Sequence, residues 1–239
     1  MKNKFLRSKD QNDMKSRSLT NKILTKTMVA LFFVMLVVIV TLSVVLQNAF
    51  KEKQENEIKE IAAYNSKIVV SYLEKMDNFS KSLANNVANY RSFDYDTADK
   101  LLRDSLESVL VDENIFSAYY AFEPNLYFPD TPNGISYYVY RDGDGRAIDV
   151  LNNYDVYSTG EYYTVSQEKL AGHITEPYEY ELTNGETVYL VSMSQPIFNG
   201  DGDFIGVTNC DILAEVFLGL DYDMGGYETS EGCLLTQEG

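Results

Sequence analysis

The chain has no tryptophan, one histidine and two cysteines among its 239 residues. With so little histidine, a histidine-based metal site or a Ser-His-Asp triad would have to rest on His173 alone. Neither a Gly-x-Ser-x-Gly elbow nor a phosphate-binding glycine loop accompanies it, so His173 is read as a strand residue. No catalytic residue, metal or cofactor is assigned. Cys210 sits in an apolar strand segment and reads as a small buried side chain, although an oxidising compartment would allow it to pair with Cys233. Positive charge is also scarce: the net charge is −16, which argues against nucleic acid as a partner and against docking on anionic lipid by charge.

Long apolar runs are equally rare, and the chain has one. Met28–Leu46 (MVALFFVMLVVIVTLSVVL) carries no charge and has the length of one bilayer-spanning helix, about 20 residues. Eight of the 20 basic residues precede it, opposed only by Asp10 and Asp13, so the arm carries +6 and the remainder −22. The positive-inside rule then keeps the arm in the cytoplasm and exports everything beyond Phe50 to the outside of the cell or inner membrane. A cleaved signal peptide is the alternative, but the run is long for one and no small-x-small cleavage site follows it. The expected division is a basic arm over 1–27, a transmembrane helix over 28–48, a stalk helix and one domain over 49–225, and the start of a second module over 226–239.

No Pro or Gly interrupts residues 51–90. Ile61, Ile68, Tyr72, Met76, Phe79, Leu83, Val87 and Tyr90 recur at steps of three, four or seven, predicting a helix of about 40 residues with one apolar stripe. That stripe needs a partner, either the domain downstream or a second copy of the chain. A shorter helix is predicted over 96–110, capped by Asp96 or Thr97.

From Asn114 the texture becomes short aromatic and β-branched runs between turn residues. The strands predicted are 115–122, 135–141, 173–175 with 178–182, 188–197 and 204–212, with a short helix over 161–170. Asn184-Gly185 and Asn199-Gly200-Asp201-Gly202 are hairpin signals. Asp142-Gly-Asp-Gly145 and Asp201-Gly-Asp203 look like calcium loops but lack the remaining ligands of an EF-hand, so they are read as turns. The order gives an α+β fold: one antiparallel sheet of about five strands with helices packed on it, a PAS-like plan. Nineteen tyrosines, many between Tyr119 and Tyr189, suit half-buried strands and polar pockets alike.

Six segments carry a family resemblance: Ala121-Phe-Glu-Pro124, Tyr140-Arg-Asp-Gly-Asp-Gly145, Gly160-Glu-Tyr-Tyr163, Ile174-Thr-Glu-Pro-Tyr178, Ser192-Met-Ser-Gln-Pro-Ile197 and Phe204-Ile-Gly-Val-Thr-Asn-Cys-Asp211-Ile. Taken in this order they resemble the extracytoplasmic double Cache domains of bacterial methyl-accepting chemotaxis proteins and sensor kinases. The resemblance implies a small-molecule sensor whose ligand is walled by Tyr162, Tyr163, Tyr178 and Asp211. Asp211 would pair with a ligand ammonium and the tyrosine faces would add cation–π attraction; capping the following helix is the competing role for Asp211. The amino-acid-sensing members carry an Arg where Gly160 stands, so an amine, a quaternary ammonium or a neutral ligand gains ground here, unless Arg141 or Arg146 reaches in. A homodimer is expected through the apolar stripe of the stalk helix, and the resemblance further implies a second, membrane-proximal module beginning at 226–239 and an output domain beyond it. A sensor histidine kinase or a diguanylate cyclase could carry the same ectodomain. An anchored adhesion domain without a pocket is the reading of a different class.

Overall fold

The structure, a computed structural model, describes residues 2–182 and 185–226. Asn184 of the expected hairpin, Cys233 and residues 227–239 of the expected second module lie outside the described residues. The chain divides into two compact units, Met1–Ile61 and Ala62–Gly239.

The first unit is helical throughout, being the N-terminal part of one continuous helix, α1 (Lys2–Tyr90). Within it the apolar run stays uncovered by protein. Phe32 and Met35 are each 64% exposed, and the most apolar window, of mean hydropathy 3.2, buries nothing. An uncharged surface of this length is costly in water and at home in hydrocarbon, where a helix satisfies all of its own backbone hydrogen bonds. Among the described residues, this is the one helix long and apolar enough to cross a membrane.

The second unit begins with the C-terminal part of α1, where Val69, Met76, Ser80, Leu83 and Val87 are buried at steps of three, four and seven. The predicted stripe is therefore present, and its partner is the chain's own sheet. Val69, Met76, Leu83 and Val87 share one core with Leu102, Tyr120, Phe122, Ile197 and Ile212. Helix α2 (Tyr95–Val109) joins that core through Ala98, Leu102, Leu106 and Val109. Its cap differs from the sequence expectation: the side chain of Asp94 accepts from the backbone N–H of Thr97 at 3.1 Å and from its hydroxyl at 2.8 Å. These bonds hold the Asp94 carboxyl below its ordinary range. The N-cap stands three residues before the N–H it satisfies, so Asp94 fits where Asp96 and Thr97, already inside the helix, do not.

The strands are β1 (Ser117–Phe122), β2 (Ile135–Asp142), β3 (Gly145–Leu151), β4 (His173–Ile174), β5 (Tyr178–Glu181), β6 (Thr187–Phe198) and β7 (Phe204–Leu213). All pairs are antiparallel, in the order β3-β2-β1-β7-β6-β4, with β5 also on β6. Between β3 and β4 lie the short helices α3 (Tyr154–Tyr157) and α4 (Glu161–Lys169). The PAS-like α+β plan holds, in seven strands where the sequence reading had about five: the segments 173–175 and 178–182 form two separate strands, β4 and β5, and one further strand is new. That strand, β3, turns back from β2 through Gly143 at φ +54°, so the Asp142–Gly145 segment is a hairpin turn. Lying at the sheet edge and largely exposed, β3 lacks the apolar density that marked the other strands.

The period-two alternation of each strand separates two faces. Ala118, Tyr120, Phe122, Cys210 and Ile212 face the core shared with α1 and α2. Cys210 is fully buried there, unpaired, its thiol pushed up to about 12 by burial. Their strand neighbours Tyr119, Ala121, Asn209 and Asp211 face the other way, toward α3, α4 and a cavity.

Candidate ligand-binding site

The cavity measures about 540 Å³. Six tyrosines line it: Tyr119, Tyr138, Tyr157, Tyr162, Tyr178 and Tyr180, together with Asp149, Asn209 and Asp211. Tyr162 bridges two of the walls, edge-on to Tyr119 at 5.6 Å and stacked on Tyr178 at 6.0 Å between ring centres.

Sheet register builds the site around Asp211. On β7 it lies directly opposite Ser117 of β1 and Ser192 of β6, so three adjacent strands put three polar side chains in one row. Both serine hydroxyls donate to the carboxylate at 2.5 Å, and the Asn209 amide donates at 2.9 Å. Each serine has one proton and gives it to Asp211. The Tyr138 hydroxyl, 3.1 Å from Ser117, and the Tyr178 hydroxyl, 2.8 Å from Ser192, must therefore be the donors in their own bonds. The result is a relay, Tyr138–Ser117–Asp211–Ser192–Tyr178, with every proton pointing at one carboxylate.

Asp211 is 2% exposed. Burial pushes its carboxyl up to about 6, against the pull of the two serine bonds. Burial, and then the charge of Asp211, raise the hydroxyls of Tyr138 and Tyr178 far above neutrality, and that of Tyr162 to about 12. At neutral pH the walls are therefore neutral aromatic faces around an anionic floor. Asp211 caps nothing: the short 3₁₀ helix at Ala214–Leu218 starts after Leu213, with no side-chain cap.

Among the described residues, no lysine or arginine lines the cavity. The two arginines considered from sequence are engaged elsewhere. Arg141 donates to the carbonyls of Leu110, Asp112 and Ile115 at 2.7–2.9 Å. Arg146 donates to those of Glu107 and Leu110 at 3.0 and 3.2 Å. Both guanidinium groups thus bind carbonyls at and just beyond the C-terminal end of α2. Gly160, where the amino-acid sensors carry Arg, lies under Tyr162: a Cβ there would stand 2.2 Å from the Tyr162 ring.

Of the four residues singled out from sequence, the structure brings Tyr162, Tyr178 and Asp211 together on the cavity. Tyr163 lies outside its lining. Fully buried on the opposite side of α4, it donates to Glu123 at 2.6 Å. Glu123 also accepts from Tyr154 at 2.8 Å and from Gln167 at 2.7 Å, pinning α3 and α4 to the end of β1. Successive residues of a helix diverge by about 100°, so one aromatic of the pair faces the cavity and the other the support behind it. Tyr119, Tyr138, Tyr157 and Tyr180 were missed. Strand alternation from Tyr178 would have found Tyr180, two residues along β5.

The fold and the tyrosine-walled cavity define a PAS-like sensor domain of the Cache type. Residues 99–216 match the family described as methyl-accepting chemotaxis protein-like, first PDC sensor domain. Among solved structures, the sensory domain of the Campylobacter jejuni chemoreceptor Tlp3 (CcmL) is 17% identical, with a TM-score of 0.56 over 71% of this chain and 64% of that one. The same domain in complex with L-valine is 16% identical, with a TM-score of 0.56 over 71% and 63%. The extracellular domain of a protein described as a histidine kinase, mmHK1S-Z2, is 22% identical, with a TM-score of 0.54 over 68% and 61%. These likenesses establish the fold; the chain spans 54% to 64% of the length of such domains. No curated protein matches the chain.

Proposed function

We propose that this chain is the sensory part of a transmembrane chemoreceptor and that its cavity binds a small cationic ligand, an amine or an amino-acid-like molecule. The observation that carries this reading is Asp211: a buried carboxylate held by three hydrogen bonds, with an acceptor site to spare, under neutral tyrosine faces with no lining cation among the described residues. A buried charge of one sign is costly alone and is relieved by a ligand of the other sign. The Tlp3 domain has been solved with L-valine. An α-amino acid shares the ammonium but also brings a carboxylate, for which the lining here offers only hydroxyl and amide donors. That favours an amine. On this reading Tyr162, Tyr178 and Asp211 contact the ligand, while Tyr163 supports Tyr162 through Glu123.

Around the site, the family match and the apolar helix support an anchored receptor. The +6 arm stays cytoplasmic, the span covers 28–48, and the sensor unit over 49–225 lies outside. The described residues do no chemistry. Dimerisation would rest on the exposed side of α1, with Ile58 and Tyr64 57% and 55% exposed, since the stripe from Val69 to Val87 is already covered. Ligand entry biases the sensor between two states by its difference in affinity for them. A sensor kinase output is the second reading, favoured by the likeness to mmHK1S-Z2. Thermal shift and calorimetry with a panel of amines, amino acids and neutral metabolites test the proposal. Stabilisation by amines, lost in Asp211→Asn, is expected; a panel in which no cation binds would overturn it.

A further inference from the structure

Four buried side-chain polar atoms among the described residues have no hydrogen-bond partner: Tyr119 Oη, Asn209 Oδ1, Ser194 Oγ and Ser166 Oγ. Three of them fall in one row of the sheet, because Asn209 lies opposite Tyr119 on β1 and opposite Ser194 on β6. This row is adjacent to the satisfied row Ser117–Asp211–Ser192 on the same face. Tyr119 and Asn209 are 6% and 3% exposed, and both line the cavity. The orientation of the Asn209 amide is not arbitrary. A carboxylate only accepts, so the NH₂ group must face Asp211, and the carbonyl oxygen is left as an unfilled acceptor one amide width away.

Buried polar groups are rarely left unpaired, and those that are call for a reason. We infer that Asn209 Oδ1 and Tyr119 Oη form a second polar subsite beside Asp211, which selects an ammonium that keeps its N–H bonds over a quaternary one. This inference rests on the reading of the cavity as an amine site. An ammonium seated on Asp211 would give one N–H to the carboxylate and another to Asn209 Oδ1. A ligand oxygen close to the nitrogen would accept from the Tyr119 hydroxyl. Six tyrosine faces alone would welcome a trimethylammonium group just as well. Such a group has no N–H, however, and would bury Asn209 Oδ1 unpaired.

Calorimetry on the full chain in lipid nanodiscs decides the matter with two matched pairs: ethanolamine with choline, and butylamine with butyltrimethylammonium. Each primary amine should bind about tenfold tighter than its quaternary partner, the worth of one unmade buried hydrogen bond. Asn209→Ala should abolish that preference. Tyr119→Phe removes a hydroxyl that bonds to nothing, so the ligand-free melting temperature should hold or rise. It should weaken ethanolamine several-fold yet leave butylamine, which has no oxygen, unchanged. Quaternary partners that bind as tightly as the primary amines, or a preference that survives Asn209→Ala, overturn the subsite while the amine site stands. If none of the four binds, the amine reading falls and the subsite with it. Should Asn209→Ala not fold, the wild-type ratios and Tyr119→Phe decide.

Discussion

The two faces of the sheet are made from the same strands, one residue apart. Toward α1 and α2, Tyr120, Cys210 and Ile212 pack in an apolar core. Toward α4, Tyr119, Asn209 and Asp211 meet a cavity. The first face excludes water and leaves no charge unpaired; the second keeps a carboxylate buried at the expense of its desolvation. The contrast teaches that stability and recognition can share a strand because alternation keeps them apart. A substitution should therefore act on one and spare the other.

The largest effect belongs to the core face. Leu102 is fully buried, and Leu102→Ala should cost about 2–5 kcal/mol, measured by denaturant unfolding of the domain. Ligand affinity of the protein that remains folded should be unchanged. Asp211→Asn should do the reverse, lowering affinity for a cationic ligand about 100-fold or more while ligand-free stability at pH 7 holds or rises. The sign follows from its carboxyl, raised to about 6 from an ordinary 3.8. Between those values the native state binds more protons than the unfolded chain, so stability falls as pH climbs from about 4 to about 6, then levels. Asp211→Asn removes that slope, and a melting curve at several pH values reads it directly. Ligand binding should run the other way. Because the ammonium needs the ionised form, affinity should rise about tenfold per unit below pH 6 and plateau above it.

Smaller effects test where the cations are. Arg141→Ala removes three hydrogen bonds to carbonyls near the end of α2, although Leu110 keeps its bond from Arg146, and should cost about 1–3 kcal/mol without weakening the ligand, since Arg141 does not line the cavity. A loss of binding in this variant would break the contrast between faces. The smallest change is Asp94→Ala at the α2 cap, about 1 kcal/mol, again silent in binding.

Local and periodic features were legible in the sequence. The stripe from Met76 to Val87, α4, and the apolar strands β6 and β7 follow from spacing alone. The edge strand β3 was not, because Arg146 and Asp149 interrupt it and its strand character depends on pairing with β2. Within the site, the anionic floor and two of its aromatic walls were visible. The polar row Ser117–Asp211–Ser192 was not: it joins residues 94 and 19 positions apart, and register between strands is a tertiary fact. Tyr163 was misplaced for a related reason. A Tyr-Tyr pair on a helix must split between two environments, and only the structure says which member faces Asp211 and which faces Glu123.

Strand β6 has a consequence of its own. Ser192 touches Asp211 on one face, while on the other the Met193 carbonyl accepts from Ser80 of α1 at 2.7 Å and the Gln195 amide donates to Asp77 at 2.6 Å. If the proposed ligand sits on Asp211, it and α1 would thus be held by neighbouring residues of a single ribbon. No long chain of intermediaries would then be needed to pass its arrival on, because a tug on one side of β6 would already be a tug on the other.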